Sequence, residues 1–147
     1  MSVTAPDDAP CSMAKAVEIV GERWTFFVLR EALAGATRFS EFRSRLGIAS
    51  DVLAVRLAKL VDTGLMARRT YREPGQRPRD GYHLTDAGQR LGVVLCALQE
   101  WGNEHIPCTV PTVAYRAPDG RPVCVQFVDP DGVVVPRNEV RVERVAD

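Results

Sequence analysis

Basic side chains are concentrated in the middle of the chain, where they can bind phosphate. Between residues 38 and 79 there are ten basic and four acidic side chains, a local charge of +6, although the whole chain carries 19 of each sign. Local clustering of cations, not the total charge, governs attraction to phosphates. We therefore expect an anion-binding surface here; on charge alone, a solvated basic face without a ligand is the alternative. The basic residues are Arg38, Arg43, Arg45, Arg56, Lys59, Arg68, Arg69, Arg72, Arg77 and Arg79.

The same segment predicts two helices joined by a tight turn. The first helix covers residues 39–46, with Ser40 expected as its N-cap. Residues 47–49 turn the chain, and the second helix runs from Ser50 to about Thr63, where Gly64 ends it. A helix pair with a glycine-bearing turn is a common means of placing a helix in the major groove of DNA.

The second helix has one apolar face and one face of small and polar residues. Leu53, Leu57 and Leu60 recur at steps of four and three, so they are expected to pack inward. The outward face offers few bidentate base readers, which favours specificity through a few contacts and DNA shape. Together with the residues just before the first helix, the predicted DNA contacts here are Arg38, Ser40, Ser50, Asp51, Ala54, Val55, Arg56 and Lys59.

A hairpin is predicted directly after this helix. Residues 65–72 suit a strand, Pro74 and Gly75 suit a turn, and residues 82–84 suit the returning strand. Arg77 and Arg79 fall near the tip, where they can lie on phosphates or in the minor groove. We predict a DNA-binding wing, although the tip taken alone favours an exposed loop without a ligand.

The flanking helices predict a homodimer. One helix is expected over residues 13–20 with Ser12 as its cap, a central apolar helix over residues 24–33, and a long helix from Thr85 to His105. Because a small core cannot cover both outer helices, we expect them to pair with a second copy; packing within one chain is the alternative. Two recognition helices then suit half-sites about one DNA turn, ~34 Å, apart. The predicted dimer contacts are Met13, Val17, Leu91, Leu95, Leu98 and Trp101.

The chain divides into three parts. Residues 1–10 form a predicted disordered arm, residues 11–106 a compact winged unit, and residues 107–147 a C-terminal β extension. Apolar and polar residues alternate in the extension, and turn signals at residues 118–120 and 129–132 separate three or four expected antiparallel strands. This extension can bind a small-molecule effector, widen a dimer interface or cover apolar surface, and the sequence does not separate these roles.

Several classes of protein and site are disfavoured. No apolar run reaches membrane-spanning length and no secretion signal is evident, so we expect a cytoplasmic protein without membrane contact. The cysteine and histidine spacings predict neither a metal site nor a disulfide framework, and no cofactor is indicated. No local motif brings a base to a cysteine, so an enzyme using Cys11 or Cys96 with His83 or His105 is the weakest hypothesis.

Cys11 is the one candidate for redox chemistry. It stands before a predicted helix N-terminus with Lys15 one turn on, and both the helix dipole and an ammonium favour thiolate, while Asp7 and Asp8 oppose it. A retained thiol without a sensing role is the alternative. Cys96 is expected to be a packing residue, and a disulfide between Cys108 and Cys124 has no support from their spacing.

Residues 11–105 resemble the HxlR-type winged helix-turn-helix regulators, within the MarR-like superfamily. The resemblance lies in Cys11, residues 20–25, 29–33, 38–42, 53–57, 64–65, 78–79 and 82–85, and Gly88, in that order. It implies a mainly α fold with a β wing and a homodimeric transcriptional regulator that binds double-stranded operator DNA. Some members of the family use a cysteine at the place of Cys11 to sense oxidants or electrophiles.

The chain departs from this family at two positions and at its C-terminus. Asp51 stands where a basic or amide residue is more common, and Ser12 follows Cys11 where a proline is common. The extension after residue 107 lies outside the shared region. Asp51 and the plain recognition face leave a second hypothesis open, namely a protein-interaction module that has kept the fold but lost DNA binding.

Overall fold

The structure, a computed structural model, describes residues 11–145, so the predicted arm over residues 1–10 lies outside it. The elements are α1 Ser12–Val20, α2 Arg23–Leu33, α3 Phe39–Leu46, α4 Ser50–Asp62, β1 Met66–Tyr71, β2 Arg79–Leu84, α5 Asp86–Arg90, α6 Gly92–His105, β3 Phe127–Val128 and β4 Val134–Val135. Two compact units divide between Leu95 and Cys96, inside α6. Among residues 11–145, no helix combines the length and apolar character that crossing a membrane demands.

The core of the first unit is made by helices α2, α3 and α4 and the start of β1. Leu53, Leu57 and Leu60 of α4 are almost wholly buried, as their helical spacing predicts. Phe42 of α3 and Met66 of β1 are equally enclosed. Burying one such side chain contributes roughly 1.5–3 kcal/mol, so this cluster fixes the orientation of α4.

The turn between α3 and α4 depends on a glycine. Gly47 ends α3 with φ at 60°, and its N–H bonds to the carbonyl of Arg43 at 3.0 Å. This left-handed conformation is costly for residues with a Cβ. Ile48 then turns into the core. The predicted helix–turn–helix is confirmed over these residues.

Strands β1 and β2 form the predicted wing, and the hairpin is attached to the segment before α3. The register is antiparallel, from Met66 opposite Leu84 to Tyr71 opposite Arg79. The Tyr82 N–H bonds to the Thr37 carbonyl at 2.7 Å, and Arg38 makes an isolated bridge to Gly81. The second strand starts at Arg79, earlier than the sequence predicts. Its extra residues Arg79 and Asp80 pair with Tyr71 and Thr70 of β1.

Two predicted helix starts are wrong. Cys11 holds the N-cap position of α1, and Ser12 is the first helical residue. Arg38 holds the N-cap position of α3, and Ser40 lies inside that helix. The Glu41 carboxylate accepts the backbone N–H groups of Thr37 and Arg38 at 2.8 and 3.0 Å, which is the glutamate half of a capping box at this helix start.

The predicted long helix is two helices that meet at Leu91. Thr85 is the N-cap, as predicted, and its hydroxyl accepts the N–H of Gly88 at 3.2 Å. Glycine weakens a helix, and both Gly88 and Gly92 flank the junction. The position of Gly88 also has no room for a side chain, because a Cβ there would lie 2.1 Å from the backbone oxygen of Leu65.

Replacing Gly88 with alanine should therefore strongly destabilise the first unit. We expect Gly88→Ala to lower the free energy of unfolding by roughly 3 kcal/mol, since backbone must move to admit the methyl group. Urea denaturation measures this. The matched control is Gly102→Ala in α6, where the nearest atom to the added Cβ is 4.0 Å away. The control should gain up to ~1 kcal/mol of helix propensity, and equal effects of the two changes would contradict the packing argument.

The second unit contains less regular structure than the alternation predicts. Three or four antiparallel strands were expected, but the described residues hold the two-residue pair β3 and β4 and one isolated bridge between Arg116 and Pro122. Prolines at 118, 122, 130 and 136 remove backbone donors and limit strand pairing. Both predicted turns are confirmed: Gly120 bonds back to Ala117, and Gly132 bonds back to Asp129.

Candidate nucleic-acid interface

The first turns of α4 present small and polar side chains to solvent. Ser50, Asp51, Ala54 and Val55 are exposed, whereas the leucines of the same helix are buried. Asp51 lies in the first turn, where a carboxylate favours the positive end of the helix dipole. The same charge repels phosphates, so this turn suits base edges and thymine methyl groups better than it suits the DNA backbone.

Arg56 and Lys59, at the flanks of α4, make contacts within the chain. The Arg56 guanidinium pairs with Glu22 at 2.6 Å, and its side chain is only 19% exposed. The Lys59 ammonium donates to the backbone carbonyl of Glu18 at 3.2 Å. Both side chains therefore hold α4 against the chain around the α1–α2 junction, and their predicted DNA contacts stay a prediction.

Arg38 connects the start of α3 to the wing. Its guanidinium forms an ion pair with Glu73 and lies 4.8 Å from the centre of the Tyr71 ring, which is a cation–π contact. Ser40 and Arg79 line a groove of about 420 Å³ beside this contact, together with Phe39, Tyr71, Asp80 and Tyr82. Three of the predicted DNA-binding side chains thus come together where the outer end of the hairpin meets the start of α3.

Glu41 strengthens this junction through its charge. The backbone N–H groups of Thr37 and Arg38 lower the pKa of the Glu41 carboxyl, and the charges of Arg45 and Arg38 act in the same direction against a small desolvation penalty. Because the pKa of Glu41 is lower in the folded protein than in the unfolded chain, the ionised carboxylate stabilises the folded state at every pH above the unfolded pKa. This stabilisation is lost as the pH falls through the lowered pKa of the folded protein. Near neutral pH the junction is therefore fully formed.

The tip of the wing is a type II turn that leaves two arginines exposed. Pro74 and Gly75 occupy the central positions, Gly75 has φ at 76°, and the Gln76 N–H bonds to the Glu73 carbonyl at 3.0 Å. Arg77 and Arg79 follow, both exposed, and neither has an ion pair with any residue between 11 and 145. Their charges are thus available to an anionic partner.

Three more exposed arginines lie on the same elements and were not among the predicted contacts. Arg43 of α3 and Arg69 of β1 have no ion pair within residues 11–145, and Arg68 of β1 lies 5.9 Å from the centre of the Tyr82 ring without an acidic partner in that range. These arginines belong to the basic cluster between residues 38 and 79, but the sequence does not show which arginines of that cluster form ion pairs. The signal available in the sequence was the alternation in β1, which places Arg68 and Thr70 on one side of the strand and Arg69 on the other.

The predicted dimer contacts differ in how much a single chain covers them. Met13 and Val17 of α1 are 74% and 57% exposed, and Leu98 and Trp101 of α6 are 54% and 57% exposed. Leu91 is half-buried, and Leu95 is already buried. The apolar stripes of α1 and α6 are thus open on the single chain, apart from Leu91 and Leu95.

Cys11 is an exposed free thiol at the N-cap of α1. The Lys15 ammonium that was expected to act on it pairs with Glu18 at 3.2 Å. Cys96 is buried, as predicted, and Cys108 and Cys124 are exposed and free. No group of histidine, cysteine and acidic residues within 11–145 has the arrangement of a metal site.

Comparison with known proteins matches this architecture to one family. The model of the HxlR-like helix-turn-helix family matches residues 19–109. An HTH-type transcriptional regulator of Mycobacterium tuberculosis strain H37Rv is 37% identical over 125 residues, which cover 81% of this chain and 72% of that protein. Its own role is uncharacterized.

Two solved structures share the fold. The crystal structure of PA1607, a candidate transcription factor, superposes with a TM-score of 0.76 at 34% identity, over 94% of this chain and 97% of that one. The oxidized form of the redox regulator HypR gives a TM-score of 0.57 at 26% identity, over 65% of this chain and 97% of that one. The chain is a winged helix-turn-helix transcriptional regulator and belongs to the HxlR-like helix-turn-helix family.

Proposed function

We propose that this protein binds double-stranded operator DNA as a homodimer, with α4 in the major groove and the β1–β2 wing on the flanking backbone. The observation that carries the proposal is a set of exposed arginines on α3 and the wing that have no acidic partner within residues 11–145, together with the exposed first turns of α4. Ser50, Asp51, Ala54 and Val55 are the proposed base-edge contacts. Arg43, Arg68, Arg69, Arg77 and Arg79 are the proposed phosphate or minor-groove contacts.

Arg38, Ser40, Arg56 and Lys59 have a supporting role in this proposal. Arg56 and Lys59 fix the angle of α4 through Glu22 and Glu18, and Arg38 fixes the wing through Glu73. Ser40, exposed at the start of α3, is within the groove that contains Arg79 and can donate to a phosphate from there.

The open apolar stripes support a second copy of the chain as the partner of α1 and α6. Apolar surface is exposed to water at Met13, Val17, Leu98 and Trp101, and its burial against a second copy would be favourable. We propose these four as interface residues, with Leu91 at the edge and Leu95 supporting the helix from beneath. A dimer supplies two copies of α4, which suits an operator with two half-sites.

Binding to duplex DNA should depend steeply on salt. The five arginines proposed as phosphate or minor-groove contacts in each subunit suggest six or more phosphate contacts per dimer, so the association constant should fall about 10³-fold or more between roughly 50 and 200 mM salt. Fluorescence anisotropy with a duplex from the promoter of the neighbouring gene measures this. If no duplex binds, or if binding ignores salt, the chain is a protein-interaction module that has kept the fold.

A redox response through Cys11 is a further part of the proposal. HypR is a redox regulator, and Cys11 offers an exposed thiol at a helix start. Diamide should then change the DNA affinity of the wild-type protein but not that of Cys11→Ser. A response that persists in Cys11→Ser would remove Cys11 as the sensor and leave it a retained thiol.

A further inference from the structure

One carboxylate of the second unit joins the two segments that carry Cys96 and Cys124. The Cys96 thiol, on α6, donates to Glu100 Oε1 at 3.7 Å. The same carboxylate accepts the backbone N–H of Val125 at 3.1 and 3.3 Å, and Cys124 immediately precedes Val125. Glu100 thus holds the segment that carries Cys124 beside the helix turn that carries Cys96.

The two thiols differ in accessibility. Cys96 is 5% exposed, whereas Cys124 is exposed and lines an open groove of about 550 Å³ with Ala97, Glu100 and Trp101. Desolvation raises the pKa of Cys96, and the nearby charges of Glu100 and Cys124 raise it further. An oxidant in solution therefore reaches the Cys124 thiol first, while the Cys96 thiol stays buried and protonated.

We propose that Cys96 and Cys124 form a reversible disulfide when the protein meets a hydroperoxide. Cys124 is the attacking thiol and Cys96 is the resolving thiol. The modification site lies wholly within the second unit, and it requires neither Cys11 nor DNA binding.

The two steps balance in atoms and electrons. The Cys124 sulfur attacks the terminal oxygen of the hydroperoxide, the O–O bond breaks, and the thiol proton leaves with the alcohol, which yields a sulfenic acid on Cys124. The Cys96 sulfur then attacks the Cys124 sulfur, the S–S bond forms, and the S–O bond breaks with loss of water. Glu100, already the acceptor of the Cys96 S–H, receives that proton and returns it to the leaving hydroxide. The two thiols lose two electrons, and the hydroperoxide gains them.

The bond would tether the C-terminal extension to α6. In the reduced protein, the segment that carries Cys124 is joined to α6 by the hydrogen bond from the Val125 N–H to the Glu100 carboxylate. A covalent link between residues 96 and 124 restricts the unfolded chain, so the melting temperature of the oxidised second unit should be higher by roughly 10 °C or more.

The test is peptide mapping by mass spectrometry under non-reducing conditions. Full-length protein is treated with cumene hydroperoxide, and free thiols are then alkylated. We expect the linked Cys96–Cys124 peptide to exceed every other cysteine pair about tenfold or more, and this preference to disappear when oxidation is performed in urea. Dithiothreitol should restore both thiols.

Single serine variants separate the roles. Cys96→Ser should trap the sulfenic acid of Cys124, detected as a dimedone adduct, and Cys124→Ser should abolish the link. Cys108→Ser is the matched control, since Cys108 is an exposed thiol of the same unit, and Cys11→Ser is a second control; both should leave the link unchanged. A native protein in which Cys124 pairs with Cys108 or Cys11, or in which no Cys96–Cys124 peptide appears, would overturn the proposal.

Discussion

The double variant Arg77→Ala/Arg79→Ala should bind every DNA duplex more weakly, by a similar factor. Both side chains are exposed at the wing and have no acidic partner between residues 11 and 145, so their loss removes charge without breaking an internal contact. Each lost phosphate contact lowers the slope of log affinity against log salt by about 0.9, so two contacts per subunit should lower it by roughly 1.8 per subunit. At physiological salt the affinity should fall about thirtyfold per subunit engaged.

The control for this result is a double variant with the same change in charge elsewhere. Arg121 and Arg141 are exposed residues of the second unit, and Arg121 pairs with Asp119. Arg121→Ala/Arg141→Ala should leave both the affinity and the salt slope within twofold of the wild type. The wing assignment fails if the two double variants weaken binding equally, because the loss would then reflect total charge.

The variant Leu98→Asp should convert the dimer into a monomer. Leu98 is 54% exposed on the apolar stripe of α6, and a carboxylate placed between two copies of this stripe would lose its water without gaining a partner. The dissociation constant of the dimer should rise by a factor of about 100 or more. DNA affinity should fall by a similar or larger factor, because the two half-sites are then bound independently.

Sedimentation equilibrium distinguishes loss of the dimer from loss of the fold. Asn103→Asp adds the same charge to the same helix at an exposed polar position, so it is the matched control and should stay dimeric. Circular dichroism should show both variants folded. A folded Leu98→Asp protein that remains a dimer would place the interface elsewhere.

Most of the first unit could be predicted because its pattern is local. The spacing of Leu53, Leu57 and Leu60 identifies both the helix and its buried face, and Gly47 and Gly64 mark helix ends in the left-handed region. Pro74 and Gly75 likewise specify the turn of the wing. In each case a few adjacent residues determine the backbone without help from distant parts of the chain.

The errors occurred where particular contacts or helix- and strand-breaking residues override the simple pattern. Ser40 is a good capping residue by type, but Arg38 holds the N-cap position, and the Glu41 carboxylate accepts the N–H groups of Thr37 and Arg38. The long helix breaks at Leu91, between Gly88 and Gly92, and the contact of Gly88 with the backbone of Leu65 is visible only in the fold. In the C-terminal extension, alternation alone overestimated the strands, since the prolines there interrupt the pairing.

The charge pattern located the candidate site but could not say which cations were free. Arg56 and Arg38 looked equivalent to Arg77 in the sequence, yet Glu22 and Glu73 pair with them from separate segments. The same limit applied to Cys96 and Cys124, since only the fold brings Glu100 between two cysteines on different elements.

The central claim is that α4 and the β1–β2 wing of two subunits contact one face of DNA. Hydroxyl-radical footprinting, combined with dimethyl sulfate probing of the major groove, tests it most directly. We expect two major-groove patches about one helical turn, roughly 10 base pairs, apart, with flanking backbone protection that disappears in Arg77→Ala/Arg79→Ala. A single patch, or flanking protection that persists in the double variant, would contradict the account.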